Sequence, residues 1–98
     1  MQEITFKNKS MTINYELDEI KRKINQFILK TSYLADEQLN DDTLIFVQGI
    51  MDSMGFISLI TFLDEAFSIK ATDSDLIESN FESINAIAEF VVRKLNQN

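Results

Sequence analysis

The spacing of apolar residues along the chain predicts helices throughout. Residues 1–13 show no clear period, and apolar side chains then recur every three or four positions, as on one face of an amphipathic helix. The members of this first stripe are Leu17, Ile20, Ile24, Phe27 and Ile28. We therefore expect a helix near residues 15–30, an N-terminal arm over residues 1–13 and a domain over residues 14–98.

A long connection follows the first helix, over residues 31–52. A structureless segment of this length is uncommon in a small domain and is often functional. It carries enough apolar residues to pack against the core, namely Leu34, Leu39, Leu44, Phe46 and Ile50.

The segment 53–67 predicts a second helix with two apolar faces. Asp52 or Ser53 can cap its N-terminus, because a short side-chain oxygen accepts a hydrogen bond from a free backbone N–H there. The core face comprises Phe56, Leu59, Ile60, Leu63 and Phe67. The other face carries Met54, Ile57 and Thr61, bordered by Asp64 and Glu65. Burial against one core does not require this second face.

Two further helices are predicted in the last third of the chain. Thr72 and the acids after it resemble the cap and first turn of a short helix over residues 73–77. A last helix is expected over residues 82–95, closed by Arg93 and Lys94. No segment shows a strand pattern. The prediction is an all-α four-helix bundle, three helices long and one short, whose core includes Leu17, Ile24, Phe27, Leu63, Phe67, Ile84, Ala88 and Val91.

Composition excludes several classes of function. The 98 residues include no Cys and no His, so neither a thiolate metal site nor a Ser-His-Asp triad can be built. Only two glycines are present, too few for a glycine-rich phosphate loop. The net charge of −7 disfavours nucleic acid and anionic membranes as partners. We expect a cytoplasmic, monomeric protein without enzymatic activity.

The acidic residues do not form a convincing metal or acid–base site. Asp73 and Asp75 match the opening of a calcium loop, but that loop needs Gly at its sixth position and Glu at its twelfth. Those positions are Glu78 and Ile84 here. Adjacent acids elsewhere, Asp41 with Asp42 and Asp64 with Glu65, point in different directions, and we expect no metal ligands among them.

One constellation remains, at the start of the second helix. It reads Gly49-Ile50-Met51-Asp52-Ser53-Met54 and leads into an apolar helix with an acidic pair that ends in Phe67. This arrangement resembles the acyl carrier protein family, with its Gly, its Asp-Ser-Leu or a close variant, and its following helix. The resemblance covers Leu17 to Val92 and implies a four-helix bundle of the acyl carrier type.

The resemblance implies a cofactor and a set of partners. In such proteins the serine, here Ser53, receives 4′-phosphopantetheine from coenzyme A by the action of a phosphopantetheinyl transferase, and the preceding Asp, here Asp52, helps that enzyme hold its metal. The arm ends in a thiol that carries intermediates as thioesters. A chain without Cys depends on such a borrowed thiol.

The expected function is accordingly that of a stand-alone acyl or aminoacyl carrier that shuttles thioester-bound intermediates between a loading ligase and downstream synthase or transferase enzymes. The partner-contacting residues would be Met54, Ile57, Thr61, Asp64 and Glu65. The alternative is a structural or interaction module on the same fold with Ser53 unmodified.

Two positions of the second helix depart from the pattern of fatty-acid carriers. Gly55 stands where many members have a charged or bulkier residue, and Ser58 stands where those carriers usually have Glu. Both departures remove features that basic partners would read. They favour a specialised pathway of the polyketide, peptide-synthetase or D-alanyl type over primary fatty-acid synthesis.

Overall fold

A computed structural model describes residues 2–32 and 39–97, with side chains from Leu17 onward, and the regular structure in these residues is entirely helical. Three α-helices cover Gln2–Thr31 (α1), Ser53–Phe67 (α2) and Ile84–Asn96 (α3). The all-α class is confirmed, and α2 has the predicted bounds. None of the helices in the described residues is long and apolar enough to cross a membrane.

The first helix begins much earlier than predicted. α1 starts at Gln2, whereas the apolar period placed its start near Asn14 or Tyr15. Periodicity marks the part of a helix that packs on the core, but it does not mark where the helix begins. No Pro or Gly precedes Gly49, so neither of the strongest helix breakers interrupts residues 2–31. The division of the chain at residue 14 into arm and domain stays a prediction.

The predicted short helix over residues 73–77 is not confirmed as an α-helix. The segment instead forms two single 3₁₀ turns, Asp73–Asp75 and Glu78–Asn80. Thr72 and Asp75 form a capping box, in which the Thr72 N–H donates to Asp75 Oδ2 at 2.9 Å. Past this turn, Asn80 Nδ2 donates at 2.8 Å to the Asp75 carbonyl, which would accept the Ser79 N–H in a continuing α-helix. Such local side-chain hydrogen bonds compete with helix formation.

The core lies between the three helices. Of the predicted core residues, five are buried: Ile24, Leu63, Ile84, Ala88 and Val91. Leu17, Phe27 and Phe67 are only partly buried and pack against this cluster. The Phe27 and Phe62 rings stack with their centroids 4.5 Å apart and join α1 to α2. The core face predicted for α2 is confirmed at Leu59 and Leu63, while Phe56 and Ile60 lie at its margin.

The described part of the long connection, residues 39–52, is tied to the N-terminus of α3. The Ile45 N–H donates to the Glu82 carbonyl at 2.9 Å, and the Asn85 N–H donates to the Asp41 carbonyl at 3.0 Å. Asn85 Nδ2 also donates to Asp42 Oδ1 at 2.6 Å. Leu39, Ile45 and Met51 are buried, and Phe46 and Ile50 are partly buried against the core, so the connection packs on the core as predicted. Leu44 is the exception, because its side chain is 39% exposed. Leu34 lies outside the described residues.

Candidate functional site

Asp52 and Ser53 occupy different positions at the start of α2. Asp52 is the N-cap, and its Oδ1 accepts the Gly55 N–H at 2.9 Å. Ser53 is the first residue of the helix, and its side chain is exposed. The sequence left both residues open as the cap, and the structure assigns the cap to Asp52. The Ser53 hydroxyl therefore does not cap the helix. It lies at the N-terminus of α2, which is the positive end of the helix dipole.

A groove of about 480 Å³ opens beside Ser53. Its volume falls in the range typical of sites for small organic ligands. Its walls come from the connection before α2, from α2 itself and from the segment after it. Apart from Ser53 and Glu78, the lining side chains are apolar: Phe46, Phe56, Ile57, Leu76, Ile77 and Phe81.

Aromatic packing holds the floor of this groove. The Phe56 ring meets Phe46 edge-on with centroids 5.7 Å apart, and it meets Phe81 edge-on at 5.2 Å. Phe81 in turn packs on Phe90 of α3 at 4.9 Å. Offset and edge-on pairs of this kind are favourable beyond the area that they bury. The groove is thus built on the core and is linked through it to α3.

Both glycines near Ser53 lie where a larger residue would be strained or would clash. Gly49 has a φ of +73°, a left-handed conformation that L side chains rarely adopt. Gly55 lies against Met51, and a Cβ at this position would be 2.7 Å from Met51 Cγ. Because Met51 is buried, a larger residue at position 55 would have to displace it. The departure noted at Gly55 therefore has a packing reason within this chain.

The second face of α2 is exposed, as the sequence predicted. The exposed fractions of Met54 and Ile57 are 71% and 59%, and Thr61 is exposed as well. Of the two bordering acids, Glu65 is exposed, while Asp64 Oδ2 lies 2.9 Å from Lys70 Nζ. The hydrogen bond from Lys70 to Asp64 raises the pKa of Lys70. This face is a small apolar strip whose border is partly neutralised.

Sequence reasoning missed the wall of the groove opposite α2. Leu76 and Ile77 are 43% and 53% exposed and line the groove together with Glu78. Their only signal in the sequence was an adjacent apolar pair directly after an acidic turn. The predicted short helix ends at Ile77, and that prediction gives Ile77 no position beside Ser53.

Comparison with known proteins agrees with this geometry. Residues 22–91 match the model of a family described as the phosphopantetheine attachment site. The chain is 36% identical over 72 residues to the D-alanyl carrier protein of Lactococcus lactis subsp. cremoris (strain MG1363), a match that covers 72% of this chain and 91% of that protein.

A second relative, the D-alanyl carrier protein of Lactococcus lactis subsp. lactis (strain IL1403), matches with the same identity and coverage. The matched residues include α2, its cap, the groove and most of α3. The chain therefore belongs to the phosphopantetheine-binding carrier protein family, whose cofactor is 4′-phosphopantetheine.

Proposed function

We propose that this chain carries an acyl-type cargo as a thioester on a 4′-phosphopantetheine arm attached to the Ser53 oxygen, and that separate enzymes load and unload it. The observation that carries the proposal is the position of Ser53. It is an exposed hydroxyl at the N-terminus of a 15-residue helix, and it opens onto a mostly apolar groove. The residues present fit the arm, because the helix N-terminus favours its phosphate and the groove offers it apolar contacts.

Other serines near helix ends do not share these features. Ser83 is buried and already caps α3, where its Oγ accepts the Ala86 N–H at 3.1 Å. Ser68 lies at the C-terminal end of α2, where the helix dipole disfavours a phosphate. Ser74 lies in a 3₁₀ turn, and its Oγ is 3.1 Å from Thr72 Oγ1. Ser53 is thus better placed as an acceptor than any of these three serines.

The chain does not supply the chemistry of its own modification. The arm, once attached, provides the thiol that this Cys-free sequence lacks. Attachment requires the Ser53 hydroxyl to lose its proton, and the sequence contains no His to act as the base. Asp52 is adjacent, but its Oδ1 is committed to the Gly55 N–H. We therefore expect a transferase to supply both the base and the metal.

The exposed strip on α2 is the surface that we expect these enzymes to contact. Met54 and Ile57 follow Ser53 on the helix, and Thr61, Asp64 and Glu65 continue the strip toward its C-terminus. An apolar centre with a polar border is typical of transient interfaces, which need specificity and speed more than affinity. The partners that the function requires are the phosphopantetheinyl transferase, the loading ligase and a downstream enzyme that takes the cargo.

For the cargo we propose a small aminoacyl group of the D-alanyl type. The support comes from the relatives, which are named D-alanyl carrier proteins, and from Ser58, which removes the acid that fatty-acid carriers usually present on this helix. A specialised acyl group remains the second candidate, because the apolar groove suits acyl chains as well.

Intact mass tests the attachment site. Incubation with coenzyme A, Mg²⁺ and a broad-specificity phosphopantetheinyl transferase should add the mass of one phosphopantetheine and one reactive thiol. Without transferase the mass should not change. Ser53→Ala should abolish the gain, whereas Ser58→Ala, the matched control on the same helix, should retain it. A wild-type chain that is never modified would favour the alternative, an interaction module with Ser53 unmodified.

The cargo needs a separate experiment on the modified protein. With ATP, D-alanine and a D-alanine-activating ligase, the mass should rise by one alanyl group, and hydroxylamine should release it as expected for a thioester. In parallel, a fatty-acid elongation system should turn over the malonyl-loaded protein poorly. Efficient elongation together with no D-alanyl transfer would contradict the aminoacyl proposal and leave the carrier proposal intact.

A further inference from the structure

One charged side chain lines the groove beside Ser53. Among the described residues that form its walls, Glu78 is the only one that can carry a charge, and apart from Ser53 all the others are apolar. In mostly apolar ligand sites, the few polar groups fix the orientation of the ligand and provide specificity. The Glu78 carboxylate is therefore the feature of this groove that can distinguish one cargo from another.

The backbone of Glu78 is fixed to the floor of the groove. Glu78 is the first residue of the 3₁₀ turn Glu78–Asn80, and its carbonyl accepts the Phe81 N–H at 2.9 Å. Phe81 is buried, and its ring meets the Phe56 ring edge-on with centroids 5.2 Å apart. A buried aromatic residue close by in the sequence thus holds Glu78 at the wall of the groove.

The Glu78 side chain has no structural partner in the part of the chain that the structure describes. It is exposed, and it makes neither a hydrogen bond nor an ion pair with the described residues. The turn that it opens has no side-chain cap. The ion pairs found among the described residues use other acids, namely Glu19, Asp41, Asp64 and Asp75. The carboxylate is therefore available to a ligand in the groove.

A carboxylate beside apolar walls ranks cargo by its charge. The apolar side chains exclude water from one side of the groove, and two charges interact more strongly where water screens them less. A cargo that carries an ammonium is favoured beside Glu78, and a cargo that carries a carboxylate is repelled. An alanyl group has a methyl group for the apolar wall and an ammonium for the carboxylate.

We propose that Glu78 is a specificity-determining residue, whose carboxylate binds the ammonium of an aminoacyl cargo when the arm on Ser53 folds along the groove, and which disfavours cargo that ends in a carboxylate. This proposal rests on the proposed function, both for the arm at Ser53 and for the class of cargo. The interaction is an ion pair and involves no covalent step.

Three cargoes of nearly the same shape test the preference for charge. The D-alanyl, isobutyryl and methylmalonyl groups differ at one substituent, which is an ammonium, a methyl group or a carboxylate. Each is joined to coenzyme A through an amide in place of the thioester, so that it survives the measurement. A broad-specificity transferase moves the whole loaded arm onto Ser53, and the test therefore needs no loading ligase.

The backbone amides of Ile57 and Ile77 report on the groove in NMR spectra. Their shift changes, relative to protein with the unloaded arm, should be largest for D-alanyl, smaller for isobutyryl and smallest for methylmalonyl. Glu78→Gln should reduce the D-alanyl change to the isobutyryl level, and Glu78→Lys should reverse the order. Glu89→Gln, the same change at an exposed position of α3 outside the groove, should keep the wild-type order. Thermal unfolding of each variant checks that the fold is intact.

Titration of the alanyl ammonium, labelled with ¹⁵N, measures the strength of the interaction. The ammonium should hold its proton about two- to fivefold more tightly in the wild type than in Glu78→Gln, the factor that an exposed ion pair is worth. The phosphate of the arm also attracts the ammonium, but it is present in both proteins and cancels in the comparison. An equal effect of Glu78→Gln and Glu89→Gln would mean that the overall negative charge of the protein acts on the cargo, and would overturn the proposal.

Intact mass, measured on every sample, separates the two proposals. A wild-type protein that accepts no phosphopantetheine from any of the three derivatives contradicts the proposed function, and the role of Glu78 falls with it. A protein that accepts all three, but shows equal shift changes for the three cargoes or the same ammonium titration in Glu78→Gln, contradicts the role of Glu78 alone.

Discussion

Asp52 and Ser53 are neighbours in the sequence but have different roles at the start of α2. The sequence predicted that one of them caps α2, because both side chains can accept a backbone N–H. Only the backbone conformation distinguishes them: Asp52 is extended, with a φ of −107° and a ψ of −169°, and Ser53 is already helical. The cap is thus the carboxylate, and the hydroxyl next to it has no capping role.

This difference in role predicts that two alanine variants differ in their free energy of unfolding. Asp52→Ala removes the bond to the Gly55 N–H and should lower the free energy of unfolding by about 0.5–2 kcal/mol. Ser53→Ala, at an exposed first helical position, should change it by no more than about 0.5 kcal/mol. Urea unfolding followed by circular dichroism measures both. A larger loss in Ser53→Ala than in Asp52→Ala would show that Ser53 supports the fold and would weaken its assignment as the attachment site.

At the scale of elements, periodicity predicted α2 and α3 well and the segment between them poorly. α2 and α3 have apolar stripes that enter the core, and Ser83 caps α3 within a residue or two of the expected start. Between them, Asp75 and Asn80 bind backbone groups and α3 side chains instead of extending a helix. Contacts between residues so far apart in the sequence leave no apolar period, so neither the groove nor the course of residues 72–80 could be predicted from the pattern.

The two faces of α2 give a prediction that separates folding from function. Leu63 is buried, and Leu63→Ala should cost about 2–5 kcal/mol. That loss corresponds to a fall in melting temperature of at least about 8 °C for a domain of this size. Ile57 is 59% exposed, so Ile57→Arg should alter stability by less than about 1 kcal/mol. Its effect should appear instead as slower modification by the transferase, because the arginine disrupts the apolar strip.

Thermal unfolding and transferase kinetics on the same samples decide this prediction. Thr61→Ala, an exposed change on the same face that adds neither charge nor bulk, is the control for both measurements. An Ile57→Arg protein that unfolds would place Ile57 in the core and show that Ile57 does not belong to the exposed strip on α2. A stable protein with normal modification rates would remove Ile57 from the transferase interface.

At the scale of the whole molecule, negative charge is concentrated in one part of the chain. Residues 36–89 hold twelve acids and a single base, Lys70, whereas the flanking segments are each net positive. Two of these bases, Arg93 and Lys94 of α3, contact Asn80 and Asp75 in the segment between α2 and α3. The fold thus brings positive side chains from the end of the chain to its acidic part. The sequence shows the charge imbalance but not which residues meet.

The Asp75–Lys94 contact should make the free energy of unfolding depend on pH. The hydrogen bond from Lys94, followed by that from the Thr72 N–H, lowers the pKa of Asp75 from 3.8 to about 2. A carboxyl whose pKa is lower in the folded state than in the unfolded chain stabilises the fold above its unfolded pKa. It loses that contribution as the pH falls through the folded value. The Asp75 contribution should therefore be complete above about pH 4 and absent below about pH 2.

Comparison with Asp75→Asn isolates this contribution from the protonation of the other acids. Protonating the acidic surface also relieves repulsion, so the wild-type curve alone mixes two opposing effects. The difference in unfolding free energy between wild type and Asp75→Asn should be constant from neutral pH down to about pH 4 and should narrow from there to about pH 2. Asp73→Asn removes an acid from the same turn without touching the Lys94 contact and serves as the control. A difference that persists undiminished at about pH 2 would show that the charge of the Asp75 carboxylate does not stabilise the fold through its contact with Lys94.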